Sequence, residues 1–131
     1  MSPTSPPCVL LVEDEPLIRM LTTDMLDALG YVATEAGTGA EALAIDDKAL
    51  AGLAGLVIDL GLPDCPGQEV ARRLRLRRPD LPVILTTGAD ASEALAQLAG
   101  GGPAVALEKP YQFSELQQAA GSLKTAAGSV A

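Results

Sequence analysis

Short apolar runs alternate with longer amphipathic segments five times along the chain, the order that a parallel sheet with crossover helices requires. The run Cys8–Val12 is apolar throughout, as expected of a central strand covered on both faces, and it stops at Glu13, Asp14 and Glu15. Pro16 suits the first turn of the helix that follows. That helix places Ile18, Leu21, Met25, Leu26 and Leu29 on one stripe and Met20 on the opposite, polar face. It ends at Gly30, a residue that accepts the left-handed C-terminal cap.

Residues 31–35 read as a second strand, 39 to about 52 as a second helix, and 53–59 as a third strand that is again apolar and again ends in an acid. Residues 61–67, with Pro63 and Pro66, form a loop. A third helix over 68–78 is closed by Pro79, and a fourth strand over 81–87 ends in two hydroxyls and Gly88. An alanine-rich fourth helix is broken by Gly100, Gly101, Gly102 and Pro103. A short last strand over 104–107 is terminated by Glu108, Lys109 and Pro110, and Phe113, Leu116, Ala120 and Leu123 stripe the last helix.

The alternation makes the fold class α/β; a doubly wound (βα)5 sheet of five parallel strands is expected, in the 2-1-3-4-5 order common to such sheets, with right-handed crossovers. One domain is expected over residues 8–124, preceded by a flexible segment at 1–7 and followed by a tail at 125–131 whose small residues fray rather than lead to a second domain.

Composition narrows the function. The chain of 131 residues is 48% apolar, enough for a core of its own, but with no Trp, one Phe and two Tyr that core must come from Leu, Val, Ile and Ala. So few aromatic rings argue against nucleobase stacking. A net charge of −8 repels a phosphate backbone, and the run Arg72, Arg73, Arg75, Arg77 and Arg78 reads as a solvated face where a helix ends. No nucleic-acid partner is expected. Cys8 and Cys65 stand alone in a chain without His, which argues against a metal knot or a disulfide framework and suits a reducing cytoplasm. The first residues lack the charge and apolar run of a signal peptide, and no stretch approaches spanning length, so no membrane partner is expected.

In an open parallel sheet, ligands bind in the crevice outside the carboxyl ends of the strands. Here strand one ends at Glu13 and Asp14, strand three at Asp59, strand four at Thr87 and strand five at Lys109. Crowded carboxylates repel one another unless a cation neutralises them, and oxygen-only ligands select Mg²⁺ or Mn²⁺. Mg²⁺ usually takes only one or two protein carboxylates, leaving positions for phosphoryl oxygens. Asp59 can then act as a nucleophile, with Lys109 neutralising charge and Thr87 and the Gly88 amide binding a further oxygen.

The stretch VLLVEDEP from Val9 to Pro16, the DLGLP turn from Asp59 to Pro63, Thr87-Gly88 and Lys109-Pro110 resemble the response-regulator receiver family, and the match runs over roughly residues 8–124. The intervals from Asp14 to Asp59, Asp59 to Thr87 and Thr87 to Lys109 are 45, 28 and 22 residues, which suit that family's five-unit fold. The resemblance implies that Asp59 is the phosphoacceptor, that Asp14, Asp59 and the carbonyl of Gly61 bind Mg²⁺ directly, and that Glu13 helps through water. Thr87 and Lys109 would contact the phosphoryl group. It also implies a histidine kinase or a histidine phosphotransfer protein as phosphodonor, docking at Ile18, Met20 and Pro110. Such a chain catalyses its own aspartyl phosphorylation and is not a turnover enzyme. No fused output domain is expected, and the resemblance then implies signalling by docking on a downstream protein or by passing the phosphoryl group on.

One departure from the family concerns the position three residues before Lys109, where receivers usually carry Tyr or Phe and this chain has Ala106. Phosphorylation is thus expected to change the loop after Thr87 and the fourth helix without a ring rotation at 106. The alternative function is a partner-binding module that keeps the fold and is never phosphorylated. An aspartyl phosphatase of the haloacid dehalogenase type would want Asp at 61, which is Gly, and a dinucleotide site would want glycines where Glu13, Asp14 and Glu15 stand.

Overall fold

A computed structural model describes residues 6–123; the remainder, including Lys124, the expected C-terminal tail and the first five residues, lies outside the described residues. The apolar runs become β1 (Cys8–Val12), β2 (Val32–Ala36), β3 (Leu53–Asp59), β4 (Val83–Thr87) and β5 (Ala104–Glu108). They pair in parallel in the order β2-β1-β3-β4-β5. Every residue of β3 and β4 is buried, which is why their sequences lack the alternation of a half-exposed strand.

Successive side chains point to opposite faces of a strand, so β1 divides its residues between two cores. Leu10 and Val12 join Leu56, Ile58, Val83 and Leu85 beneath α2 (Gly39–Leu43), α3 (Asp47–Ala51), α4 (Gly67–Arg77) and α5 (Ser92–Gln97). Val9 and Leu11 join Val57 and Ile84 against Leu26 of α1 (Pro16–Ala28) and Leu116 of α6 (Phe113–Ala119). Gly30 takes a φ of 92° as α1 ends, and the Tyr31 amide closes the turn onto the Leu26 carbonyl at 2.9 Å.

Four expectations need correction. The expected helix over 39–52 is two helices, because Asp46 turns back to cap α3 through the Ala49 amide at 2.7 Å. Arg77 meets the carbonyls freed at the break, at 2.6 Å from Ile45 and 3.4 Å from Leu43. The stripe of α1 is rotated: Thr22 and Leu26 are its buried residues, while Leu21 is 48% exposed. Thr22 is admitted to the interior because its hydroxyl bonds the Tyr111 phenol. Phe113 is 39% exposed as the first residue of α6, and Leu116, Ala120 and Leu123 carry that stripe without it.

The basic run is not a solvated face throughout. Arg75 is buried and donates to the carbonyls of Leu81 (3.1 Å), Leu98 (2.8 Å), Gly102 (2.8 Å) and Pro103 (2.7 Å). It gives a side-chain donor to backbone oxygens just before β4, at the end of α5 and in the loop to β5. Arg78 does the same for Leu50 and Leu53 at 2.8 and 2.7 Å. Arg72 and Arg73 share Glu69 on the exposed side of α4, and hold its carboxyl down at about 2.

Candidate functional site at the carboxyl ends of the strands

Parallel pairing aligns the strand ends, so the residues that follow β1 and close β3, β4 and β5 meet at one edge of the sheet. Glu13 and Asp59 are buried there and Asp14 is half-buried. One carboxylate oxygen from each of the three lies within 4.8 Å of the others. The Lys109 ammonium lies between two of them, 2.8 Å from Glu13 Oε1 and 2.9 Å from Asp59 Oδ1.

Backbone bonds hold this edge in register. The Leu60 amide donates to the Thr86 carbonyl at 2.9 Å, and the Lys109 amide to the Thr87 carbonyl at 2.7 Å. Gly67 starts α4 directly against Asp59, since a Cβ there would stand 2.1 Å from the Asp59 carbonyl oxygen. That close approach to the backbone is open only to glycine. Lys109 is joined to Pro110 by a cis peptide bond.

Burial raises the Glu13 carboxyl above its usual value, and the Asp59 charge adds to it, against the lowering pull of Lys109 and the Glu15 amide. Burial works against the Lys109 ammonium, but its hydrogen bonds to Glu13 and Asp59 outweigh that, and the net shift is upward. Three acids facing one ammonium leave an excess of negative charge, and their donor set is all oxygen, which fits a hard divalent cation.

The two threonines divide their work in an order the sequence did not reveal. Thr86 points its hydroxyl toward Asp59 Oδ1 at 3.5 Å, while the Thr87 hydroxyl accepts from the Ala89 amide at 3.0 Å and caps the next turn. Gly88 is exposed in that turn, with open space where a Cβ would be. Gly61 lies two residues past Asp59, in an isolated bridge with Pro66.

Beside Lys109 a groove of about 340 Å³ is lined by Ile18, Leu21, Thr22, Met25, Lys109, Pro110 and Tyr111. Of the three expected docking residues, Ile18 and Pro110 line it; Met20 is 54% exposed on α1 but is not part of its wall. Leu21, Met25 and Tyr111 were missed. An i, i+3, i+4, i+7 reading of α1 that let Thr22 face inward would have turned Leu21 and Met25 to this rim. No described helix is long and apolar enough to cross a membrane.

A family model for the response regulator receiver domain matches residues 9–121. The chain belongs to that family. This receiver domain is 36% identical over 112 residues to the probable transcriptional regulatory protein TcrX of Mycobacterium tuberculosis, covering 85% of this chain and 47% of TcrX. It is 34% identical over 109 residues to the sensor kinase CckA of Brucella abortus, covering 82% of this chain and 11% of CckA. The chain thus spans about half or less of the length of these curated relatives. Among solved structures, it resembles the receiver domain of the sensor histidine kinase PA1611 from Pseudomonas aeruginosa, with a TM-score of 0.70 and 26% identity over 86% of this chain and 93% of that one. In that structure a magnesium ion is coordinated in the active site cleft.

Proposed function

We propose that this receiver domain takes a phosphoryl group onto Asp59 from a histidine of a kinase or phosphotransfer protein, and signals in the cytoplasm by docking or by onward phosphotransfer. The observation that carries the reading is the Lys109 ammonium held between Glu13 and Asp59, with Asp14 in the same cluster. An Asp59 carboxylate oxygen attacks phosphorus in line; the O–P bond forms as the P–N bond of the phosphohistidine breaks. The imidazole leaves with that electron pair, and Lys109, released from Asp59, is placed to neutralise a phosphoryl oxygen. Thr87 at the end of β4 and the amide of Gly88, which follows it, are assigned to the remaining oxygens. Asp14, Asp59 and the Gly61 carbonyl would hold Mg²⁺, with Mn²⁺ as an acceptable substitute and Glu13 acting through water. Bound there, Mg²⁺ supplies charge neutralisation and alignment of the phosphoryl oxygens.

The test is incubation with acetyl phosphate followed by intact mass measurement. A phosphoryl-sized gain is expected with Mg²⁺, none with chelator, and reversal by hydroxylamine, which cleaves acyl phosphates. No gain under any of these conditions would instead favour the second reading, a binding module that is not phosphorylated. Ala106 is what supports that reading. It lines, with Val105, Leu107 and residues of α6, an open groove of about 430 Å³ beside β5.

The apolar groove beside Lys109 is the proposed seat of the histidine-bearing helix, which must bring its imidazole to Asp59. Leu21→Glu, at the rim, should slow transfer from a phosphohistidine donor about tenfold, the equivalent of one lost apolar contact. Its rate with acetyl phosphate should stay at the wild-type value. Equal slowing with both donors would place the defect in the chemistry and remove the groove from the docking surface.

A further inference from the structure

Of the three clustered carboxylates, Glu13 and Asp59 are held by side-chain hydrogen bonds and Asp14 is not. Glu13 accepts from Lys109 at 2.8 Å and from the Glu15 amide at 3.2 Å. Asp59 meets Lys109 at 2.9 Å and Thr86 at 3.5 Å. No hydrogen bond among the described residues holds the Asp14 carboxylate, so its aim depends on the backbone that carries it.

That backbone is clamped at the preceding residue. The Glu13 amide donates to the Ala36 carbonyl at 3.0 Å, and the Glu13 carbonyl, on the peptide leading into Asp14, accepts from Arg19 Nη1 at 2.8 Å. Arg19 is in turn steadied by Glu35 of β2, which takes its Nε at 3.0 Å. A planar guanidinium can serve both partners at once, whereas an ammonium is a point charge without that fork.

We infer that Arg19 is a positioning residue for the cation: by fixing the Glu13–Asp14 peptide it aims the Asp14 carboxylate, without touching the cation itself. This rests on the metal site proposed above. Two effects of Arg19 oppose each other, and their signs differ. Its positive charge repels a divalent cation, so removal through charge alone would tighten binding. Its clamp orders a ligand, so removal through geometry weakens binding, and losses of supporting contacts behind metal ligands run from about ten- to a hundredfold.

The experiment is calorimetric titration with Mg²⁺ of the wild-type chain, Arg19→Met, Arg19→Lys and Glu35→Gln, alongside urea unfolding in chelator. Weakening of about tenfold is expected for Arg19→Met, somewhat less for Arg19→Lys, and least for Glu35→Gln, which loosens the strut and leaves the clamp in place. Urea midpoints in chelator should barely move, since Arg19 is a partly exposed side chain. Affinity unchanged or tighter in Arg19→Met overturns the inference and leaves the site standing. If Arg19→Met does not fold, wild-type affinity in Arg19→Lys overturns it in the same way. A wild-type chain that binds no Mg²⁺ removes the site and this role together.

Discussion

Asp59→Asn is expected to abolish phosphoryl uptake from acetyl phosphate while making the metal-free protein more stable. The first effect follows from chemistry, since a neutral amide offers no anionic oxygen to attack phosphorus. The second is a contest of charges. At an effective dielectric constant of about 20, the 2.9 Å contact of Asp59 with Lys109 is worth about 6 kcal/mol. The repulsions from Glu13 and Asp14, whose oxygens lie within 4.8 Å, cost at least about 3.5 kcal/mol each. Together the two repulsions outweigh the attraction by a small margin, and relief of burying an ionised group acts in the same direction. Urea unfolding in chelator should show a gain of about 1 kcal/mol for the variant. Excess Mg²⁺ should reverse the order, because ligand that binds only the folded wild type stabilises it by mass action. A variant less stable than wild type in chelator would mean that Lys109 outweighs the acids around it.

Lys109→Met acts in the opposite direction. It keeps a chain of similar length but removes the ammonium that touches both Glu13 and Asp59. Breaking a buried pair at one partner leaves uncompensated charge, and a loss of about 3 kcal/mol is expected in chelator near neutral pH. The pH dependence has a definite sign. The folded-state value of Glu13 is raised by burial, so between the ordinary and the raised value the folded protein holds a proton there that the unfolded chain has released. Stability therefore falls as pH rises from the ordinary glutamate value of 4.5 through the raised folded value. Removing Lys109 strips away one of the lowering influences and widens that window upward. Lys109 itself, raised overall by its acid partners, contributes stability that is present below its ordinary value of 10.5 and lost as pH climbs through its folded value. The deficit of the variant should accordingly shrink toward acid pH and shrink again when Mg²⁺ replaces the missing charge. A deficit independent of both pH and Mg²⁺ would assign Lys109 a packing role instead.

Much of the candidate site was legible because of one geometric rule: in parallel pairing, the carboxyl ends of all strands lie on the same edge. Glu13, Asp14, Asp59, Thr87 and Lys109 each follow or close an apolar run, so their convergence needed only the strand order. The glycine at 67 had a readable position but no readable reason, since its closeness to the Asp59 carbonyl exists only once α4 packs on β3. The rotation of α1 was not legible either. Leu21 is the more apolar choice for the core, yet Thr22 goes in, because Tyr111, 89 residues away in sequence, waits there with a hydroxyl.

The arginines make the same division. A sequence shows Arg72, Arg73, Arg75, Arg77 and Arg78 as one basic run, and helical periodicity separates Arg75 from its neighbours only by facing it inward. That a cation is tolerated in the interior depends on four carbonyls brought from distant segments to meet it. Arg19 is a comparable case, since a surface position on α1 acquires a role only from the carbonyl of Glu13 and the acid of β2 beside it.

From the sequence alone came the α/β class and the identity of the acids, hydroxyl and lysine at the strand ends, because these depend on local periodicity; the strand order was expected from the common doubly wound arrangement and not from that periodicity. Which threonine faces Asp59, how α1 is turned, where the long second helix breaks and which arginine is buried were decided by tertiary structure. Apart from the helix break, where Asp46 caps locally onto Ala49, each of those choices is made by a hydrogen-bond partner far away in sequence, and such a partner leaves no periodic trace along the chain.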